Sequence, residues 1–394
     1  MPGSRQRPHG RRIRCAGGYY AYVPDPLPPP LAWSAELVGA LSAADRAVGR
    51  LAGEGRRLAD PDILIRPFVR REAVLSSRIE GTQATLGELL AAEAGAAVER
   101  SPDELREVAN YVVGLEYGVE RLQAMPLSLR LVRELHERLL RGVRGEVATP
   151  GQFRASQNWI GRPGSTPANA SYVPPPPDRL MDCLGDWERF LHDRSLPPLV
   201  HAALAHAQFE AIHPFLDGNG RVGRLLITLL LVAGDLLPSP LLYLSAWFDV
   251  TRRDYFAHLL GVTERGEWEE WLIYFLRGTT SQAEDALGRI RRIDGLCASW
   301  REKLRSVRSR LPERAIDLFV ENPFRSVPGL AERLGVAFTT AQRTIDHLES
   351  AGIVEPTSEA RRNRIYCARA LLAILEEPPT LPRSGRSHAR RSAS

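Results

Sequence analysis

Residues 213–224 read HPFLDGNGRVGR, a polar, glycine-rich stretch between two apolar helical patterns at 199–212 and 222–233. It is therefore a loop running into a helix N-terminus. Glycine and asparagine tolerate positive φ, so the backbone amides around Gly218, Asn219 and Gly220 can turn inward as an anion nest. A helix starting near Arg221 adds the positive end of its dipole. Arg221 and Arg224 stand three apart on that helix and offer paired donors to phosphate oxygens. Asp217 lies beside the nest, where one carboxylate together with phosphate oxygens suits Mg2+. His213 supplies a general base for an incoming hydroxyl. Base, metal ligand, nest and arginines within one short segment describe a nucleotide-transfer site.

Outward from this stretch, helical periodicity fills most of the chain, and the fold class is mainly α. Residues 33–58 and 61–79 read as helices, the second stopping at Glu80 and Gly81 because glycine is the usual residue past a helix end. Thr85 with Glu88, and Ser101 with Glu104, read as capping boxes, the latter with Pro102 at the first helical position. Helices then run to 124 and over 127–141. Residues 151–177 break the texture: GQFRASQNWIGRPGSTPANASYVPPPP is polar and turn-rich, with a short β-hairpin predicted around 162–170. Helical patterns resume at 178–193 and, past the motif, at 252–276. A long polar helix over 280–310 reads as a linker. Helices at 313–321, 327–334 and 339–351, followed by a two-stranded wing around SEARRN, predict a winged helix-turn-helix. The organisation is thus a disordered basic tail (1–18), an N-terminal helical region (19–110), a core (111–280), a linker helix (281–311), a winged-helix unit (312–376) and a second disordered basic tail (377–394).

At 394 residues, 44% hydrophobic and 25% charged, the chain suits several folded units and neither a fibrous nor a wholly disordered protein. The longest nearly unbroken apolar run, 225–234, is about half a bilayer span, which argues against a membrane protein. No apolar h-region follows the basic N-terminus, so no secretory signal is expected. Cys15, Cys183, Cys297 and Cys367 form no CxxC or Cys/His pair. That pattern argues against structural zinc and disulfides and fits a cytoplasmic location. The net charge of +5 sits in the tails: five arginines precede residue 15 and four follow residue 380, which leaves −4 on the body. A globally basic nucleic-acid-binding body is not indicated. Lys303 is the only lysine, so no Walker A loop is present and any nucleotide chemistry is of another type.

The whole segment matches HPFx[DE]GNGRxxR, and on it the chain resembles the Fic family, whose members mostly transfer AMP from ATP to a Ser, Thr or Tyr hydroxyl of a target protein. The resemblance implies a Fic-type helical core with a short β-hairpin flap. It makes His213 the catalytic base and Asp217 the Mg2+ ligand. The nucleotide-binding run becomes Gly218, Asn219, Gly220, Arg221, Val222, Gly223 and Arg224, with Gly218 to Gly220 cradling the α- and β-phosphates and Arg224 holding the γ-phosphate. The intact GNGR form favours AMP transfer over the phosphoryl transfer of the related Doc kinases. A second motif, SSRIEG from Ser76 to Gly81, fits the family's inhibitory pattern [S/T]xxxE[G/N]. Ser76 and Glu80 share a helix face. A glutamate at a helix C-terminus faces the negative end of the dipole, unfavourable by about 0.3–1 kcal/mol, and so points to another partner. In the family that partner is the second motif arginine, here Arg224.

The resemblance further implies a flap at 152–176 that binds an extended segment of an unidentified target by strand addition, the chain itself being one such target. The competing reading of 152–176 is a disordered surface loop. Tyr255 and Trp268 read either as a nucleobase pocket or as plain core. DNA binding through 312–376 competes with protein docking, because the candidate recognition helix sets Arg343 against Asp346 and Glu349 while the wing carries Arg361, Arg362 and Arg364. Three functional readings stand: an autoinhibited adenylyltransferase, a nucleotide-sensing transcriptional regulator, and a de-AMPylase using the same site. Self-association into a homo-oligomer is left open.

Overall fold

The computed structural model describes residues 9–57, 61–143, 149–237, 239–358 and 364–379. A hairpin of β1 (Gly10–Arg14) and β2 (Tyr20–Pro24) comes first, then α1 (Ala35–Arg57), α2 (Pro61–Ile79), α3 (Leu86–Glu93), α4 (Pro102–Leu122) and α5 (Leu129–Leu139). The central part is α6 (Pro177–Leu191), α7 (Pro198–Ile212), α8 (Asn219–Ala233), α9 (Ser245–Val250), α10 (Arg252–Arg265) and α11 (Trp268–Lys303). The C-terminal part is α12 (Leu311–Glu321), β3 (Phe324–Ser326), α13 (Val327–Leu334), α14 (Phe338–Ser350), β4 (Glu355–Pro356), β5 (Ile365–Cys367) and α15 (Arg369–Glu376).

The α7–α8 pair forms the middle of the core. Nearly every position of α7 is buried, and so is α8 from Val222 to Leu231. Ala202, Ala203, Ala205 and Ala207 let neighbours approach α7 on all sides, so it has no solvent face to keep polar. Around this pair pack α4, α5, α6, α10 and α11, while α1 lies along α11. The chain is fastened to α2 from several directions. Glu72, buried on α2, accepts from Tyr111 Oη of α4 (3.2 Å) and from the backbone N–H (3.2 Å) and Oγ of Ser245 on α9. Glu321 on α12 meets Arg66 of α2 at 3.2 Å.

Several expectations need correcting. The basic segment predicted to be disordered contains β1, paired antiparallel with β2 from Gly10 opposite Pro24 to Arg14 opposite Tyr20. Charge alone marked it as a tail, but its neighbour Ala21-Tyr22-Val23 is buried and offers an edge, and Gly18 at φ +79° closes the turn. The supposed linker helix is instead the second half of the 36-residue α11, which begins in the core. Its polar look hid a buried stripe of Ala283, Ala286, Leu287, Ile290, Ile293, Cys297 and Trp300 at helical spacing. Thr85 and Glu88 do close a capping box, whereas Ser101 makes no side-chain cap and Glu104 accepts from Gln83 N–H (3.1 Å) instead. The C-terminal unit has four helices, α12, α13, α14 and α15, one more than expected, and its sheet has three strands, β3-β5-β4, rather than two. It is also docked rather than tethered: Asn322 Nδ2 donates to Leu90 O (3.0 Å), and Arg289 of α11 donates to the carbonyls of Ile374 and Glu377 at the end of α15. The wing's Arg361 and Arg362, residues 1–8 of the first tail and 380–394 of the second lie outside the described residues. Among the described residues no helix is long and apolar enough to cross a membrane.

Candidate active site

Helix α7 ends at His213, whose backbone is left-handed (φ +48°, ψ +61°). For a non-glycine residue this costs about 1–3 kcal/mol and needs surroundings that impose it. They come from the polar stretch after Gly151. Arg154, buried, donates from Nε to His213 O (2.9 Å), from Nη2 to Ile212 O (3.4 Å) and Pro175 O (2.5 Å), and from its backbone N–H to Pro214 O (2.9 Å). Asn158 Nδ2 donates to His213 O (3.2 Å) and Phe215 O (2.7 Å). The turn is closed from inside by Asn219, whose Oδ1 accepts from Phe215 N–H and whose Nδ2 donates to Phe215 O, both at 2.8 Å. His136 of α5 supports it from the other side. Its Nδ1 accepts from Gly151 N–H (2.9 Å), so Nε2 carries the proton and donates to Asp217 O (3.0 Å), while the ring stacks on Phe215 at 3.7 Å.

Gly218, at φ +77°, turns the chain into α8, which starts at Asn219, two residues before the position expected. Val222 N–H makes the first helical bond, to Gly218 O (3.0 Å), so the amides of Asn219, Gly220 and Arg221 precede it. The Gly218 amide is engaged by the Asp217 carboxylate at 2.6 Å. The nest is therefore narrower than expected: only Gly218 takes positive φ, and the Asn219 side chain belongs to the turn, leaving its backbone for a ligand. Asp217 is 54% exposed beside these amides, so its carboxylate is open to a cation. Val222 is core. Gly223 is a packing glycine, since a β-carbon there would collide with Glu210 Oε1.

The two motif arginines differ. Arg221 is buried, 3.9 Å from Glu107 and 3.8 Å from Asp217, and its Nε and Nη1 make no hydrogen bond. Arg224, with 1% of its side chain exposed, is fully engaged by the SSRIEG segment: Nε donates to Ser76 Oγ (2.9 Å), and Nη2 to Ser76 O (3.0 Å) and Glu80 Oε1 (2.6 Å). Glu80 follows directly on α2, and Gly81 at φ +106° carries the chain away. A β-carbon on Gly220 would collide with Glu80 Oε1, so the carboxylate rests against the first turn of α8. That resolves the oddity of a glutamate at a helix C-terminus, because the N-terminus of α8 and Arg224 outweigh the end of α2. Burial disfavours the Glu80 charge, yet Arg224, Arg221 and His213 hold its pKa below the usual carboxylate range. Burial also works against the Arg224 charge, and Glu80 together with Tyr255 and Glu210 more than compensates.

Glu80, His213, Gly220 and Arg224 line one cleft of about 610 Å³, together with Tyr255 and with Ile160 of the polar stretch. Burial and the nearby Arg154 push the His213 ring down to about 4, so it is neutral near pH 7 and able to take a proton. Tyr255 is buried in the cleft wall and shares a hydrogen bond with His206 Nε2 (2.9 Å), whereas Trp268 is not part of that wall. The predicted hairpin reduces to one bridge, Ile160 with Tyr172. Reasoning from the sequence missed Arg154, Asn158, His136 and Glu210. For His136 a signal existed, since it falls on the apolar face of α5 with Val132, Leu135 and Leu139.

Comparison with known proteins points to one family. Residues 38–120 match the Fic/DOC family N-terminal model and residues 126–231 the Fic/DOC family model. Over 163 residues, 40% of this chain and 31% of the relative, the sequence is 36% identical to the protein adenylyltransferase Fic of Drosophila ananassae, and equally so to that of Drosophila virilis. The chain thus spans about a third of the length of the curated relatives it matches. A solved structure of a Fic family protein from Desulfovibrio desulfuricans G20 shares the fold at TM-score 0.57 and 21% identity, covering 87% of this chain and 98% of its own. The N-terminal and motif-bearing regions of this chain, residues 38–120 and 126–231, thus carry Fic/DOC family domains.

Proposed function

We propose that the protein is an adenylyltransferase that moves AMP from ATP to a protein hydroxyl and is held inactive by its own Glu80. The hydroxyl oxygen of the target attacks the α-phosphorus and forms an O–P bond. The bond from that phosphorus to the oxygen bridging to the β-phosphate breaks, pyrophosphate leaves, and the hydroxyl proton passes to His213. The amides of Asn219, Gly220 and Arg221 face the phosphates, with Arg221 and Arg224 as cationic partners. Asp217, a single open carboxylate beside phosphate-binding amides, fits Mg2+, which takes one or two carboxylates plus phosphate oxygens. When bound, the ion would neutralise phosphate charge.

One observation supports the reading most: an anion already sits at the head of α8. The Glu80 carboxylate rests against Gly220 and holds Arg224 at 2.6 Å, where an anionic phosphate would otherwise be received. While it stays, Arg224 is unavailable to a γ-phosphate. The polar stretch, with Trp159 and Ile160 exposed on the rim, suits an extended target segment added as a strand.

The test is intact mass after incubating wild type, Glu80→Gly and Glu80→Gly/His213→Ala with Mg-ATP. A gain of AMP is expected on Glu80→Gly and not on the double variant, whose loss of general-base catalysis is about 10²–10⁴-fold. A gain of phosphate instead would overturn the transfer chemistry, and AMP on wild type to the same extent would overturn the inhibition.

A further inference from the structure

Every hydrogen bond from Arg224 given above runs to Ser76 or Glu80, that is, to the inhibitory segment. If Glu80 withdraws, a guanidinium with 1% exposure loses its one charged acceptor and keeps only the two neutral ones of Ser76. A buried cation without a counter-charge is strongly disfavoured, so an active state needs a replacement within reach. Nucleotide phosphate supplies part of it, but a guanidinium has five donors in a fixed fork and is aimed only when a second group holds its other edge.

Two other carboxylates act electrostatically on Arg224. Glu72 already accepts from Ser245 and Tyr111, which tie it to α9 and α4. Glu210 has no such commitment. It lies on α7 one turn before His213, lines the same cleft as Arg224, and packs against Gly223, where only the missing β-carbon leaves it room. Its Oε1 is buried without a hydrogen-bond partner, which costs about 1–3 kcal/mol and calls for an explanation in a site this ordered. Burial raises its pKa to about 7 against the pull of Arg224, and Glu210 in turn favours the Arg224 charge. The molecule thus holds a buried acceptor lacking a donor in the same cleft as a donor whose only charged hydrogen-bond acceptor is Glu80.

We infer that Glu210 is a positioning residue, the second seat of Arg224: when Glu80 withdraws, the Glu210 carboxylate accepts from the guanidinium and keeps its free edge turned to the γ-phosphate of ATP. This rests on the reading of Glu80 given above and adds a hand-over between two carboxylates. It also gives Gly223 a role, because Gly223→Ala would push Glu210 off its seat.

The experiment compares Glu80→Gly with Glu80→Gly/Glu210→Gln by calorimetric titration with Mg-ATP and Mg-ADP, and by steady-state AMP transfer. Loss of the seat is expected to weaken ATP binding about tenfold, which corresponds to ~1.4 kcal/mol. ADP binding, with no γ-phosphate to hold, should change less than about twofold, and KM for ATP should rise with kcat little altered, as for loss of uniform binding. Equal weakening of ATP and ADP, or no change in either, overturns the inference. With Glu80 present, Glu210→Gln is expected to keep or raise the melting temperature, because the resting state leaves that carboxyl unpartnered; a clear drop would mark it as structural and overturn the inference as well. The two readings fail separately. If Glu80→Gly does not bind ATP more tightly than wild type, the Glu80 reading fails, while the ATP-to-ADP contrast between the two variants still reports on Glu210.

Discussion

The turn from His213 to Gly218 and the polar rim from Trp159 to Tyr172 face the same cleft and are built in opposite ways. In the turn, polar groups are closed from several elements: Arg154 and Asn158 hold its carbonyls, Asn219 clamps Phe215 from both ends, and His136 holds Asp217. On the rim, Ile160 and Tyr172 exchange two backbone hydrogen bonds (2.8 and 3.0 Å), Trp159 Nε1 donates to Ser165 O (2.9 Å), and Trp159 and Ile160 stay 40% and 42% exposed. On the proposed chemistry the base must meet the proton of the attacking hydroxyl within a fraction of an ångström, whereas a target chain arrives with its own backbone groups to pair. On that reading rigidity sits where atoms react, and open hydrogen-bonding capacity where a partner docks.

The strongest way to break this contrast is Asn219→Ala. It removes both hydrogen bonds to Phe215 and leaves the buried Phe215 N–H unpaired while Phe215 O keeps Asn158, so a loss of about 1–3 kcal/mol is expected in urea unfolding. A loss below about 0.5 kcal/mol would mean that the turn is held without its asparagine. Ile160→Pro on the rim removes one donor from a lone bridge and should lower stability by no more than about 1 kcal/mol, with ATP binding unchanged. Modification of a protein target should fall sharply in the same variant, because the bridge that shapes the rim loses the Ile160 N–H bond to Tyr172 O. If Ile160→Pro destabilised the fold as much as Asn219→Ala, the rim would be as locked as the turn.

What the sequence made legible follows the same division. In residues 213–224 the loop, its glycine turn and the helix behind it were legible, because helix starts and glycine turns act over a few residues. The meeting of Ser76 and Glu80 with Arg224 came from the resemblance and from a local oddity, a glutamate at the wrong end of a helix. The roles of Arg154, Asn158 and His136 were not legible, since each depends on which segments the fold brings together across 55 or more residues, as between Asn158 and His213. Asn219 was read only for its backbone and its tolerance of positive φ, and the place of its side chain in the turn depends on Phe215 lying beside it, which the structure shows. The buried stripe of α11 and the pairing of β1 were missed for one reason: polar and basic composition was taken as lack of partners, while periodicity and an adjacent apolar strand supplied them.

The smallest effect is also the most local, the titration of His213. Its ring is held near 4 rather than 6.5, chiefly by burial and then by Arg154. In the folded chain it therefore refuses a proton that the unfolded chain accepts, so its contribution makes stability fall as pH drops from about 6.5 towards 4. Glu72 and Glu210, raised by burial to about 7, carry the opposite sign and weaken the fold as pH rises from about 4.5 to 7. These windows overlap, so bulk stability against pH cannot separate them, and the ring must be followed directly by its NMR resonances. A midpoint near 4 is expected, and one near 6.5 would place the ring in solvent and the turn in the same class as the rim. Glu80 and Asp217 both act to raise the His213 pKa, so Glu80→Gly should move the midpoint further down. An upward move would mean that opening the inhibitory contact lets water reach the base, and that the rigidity of the turn depends on Glu80.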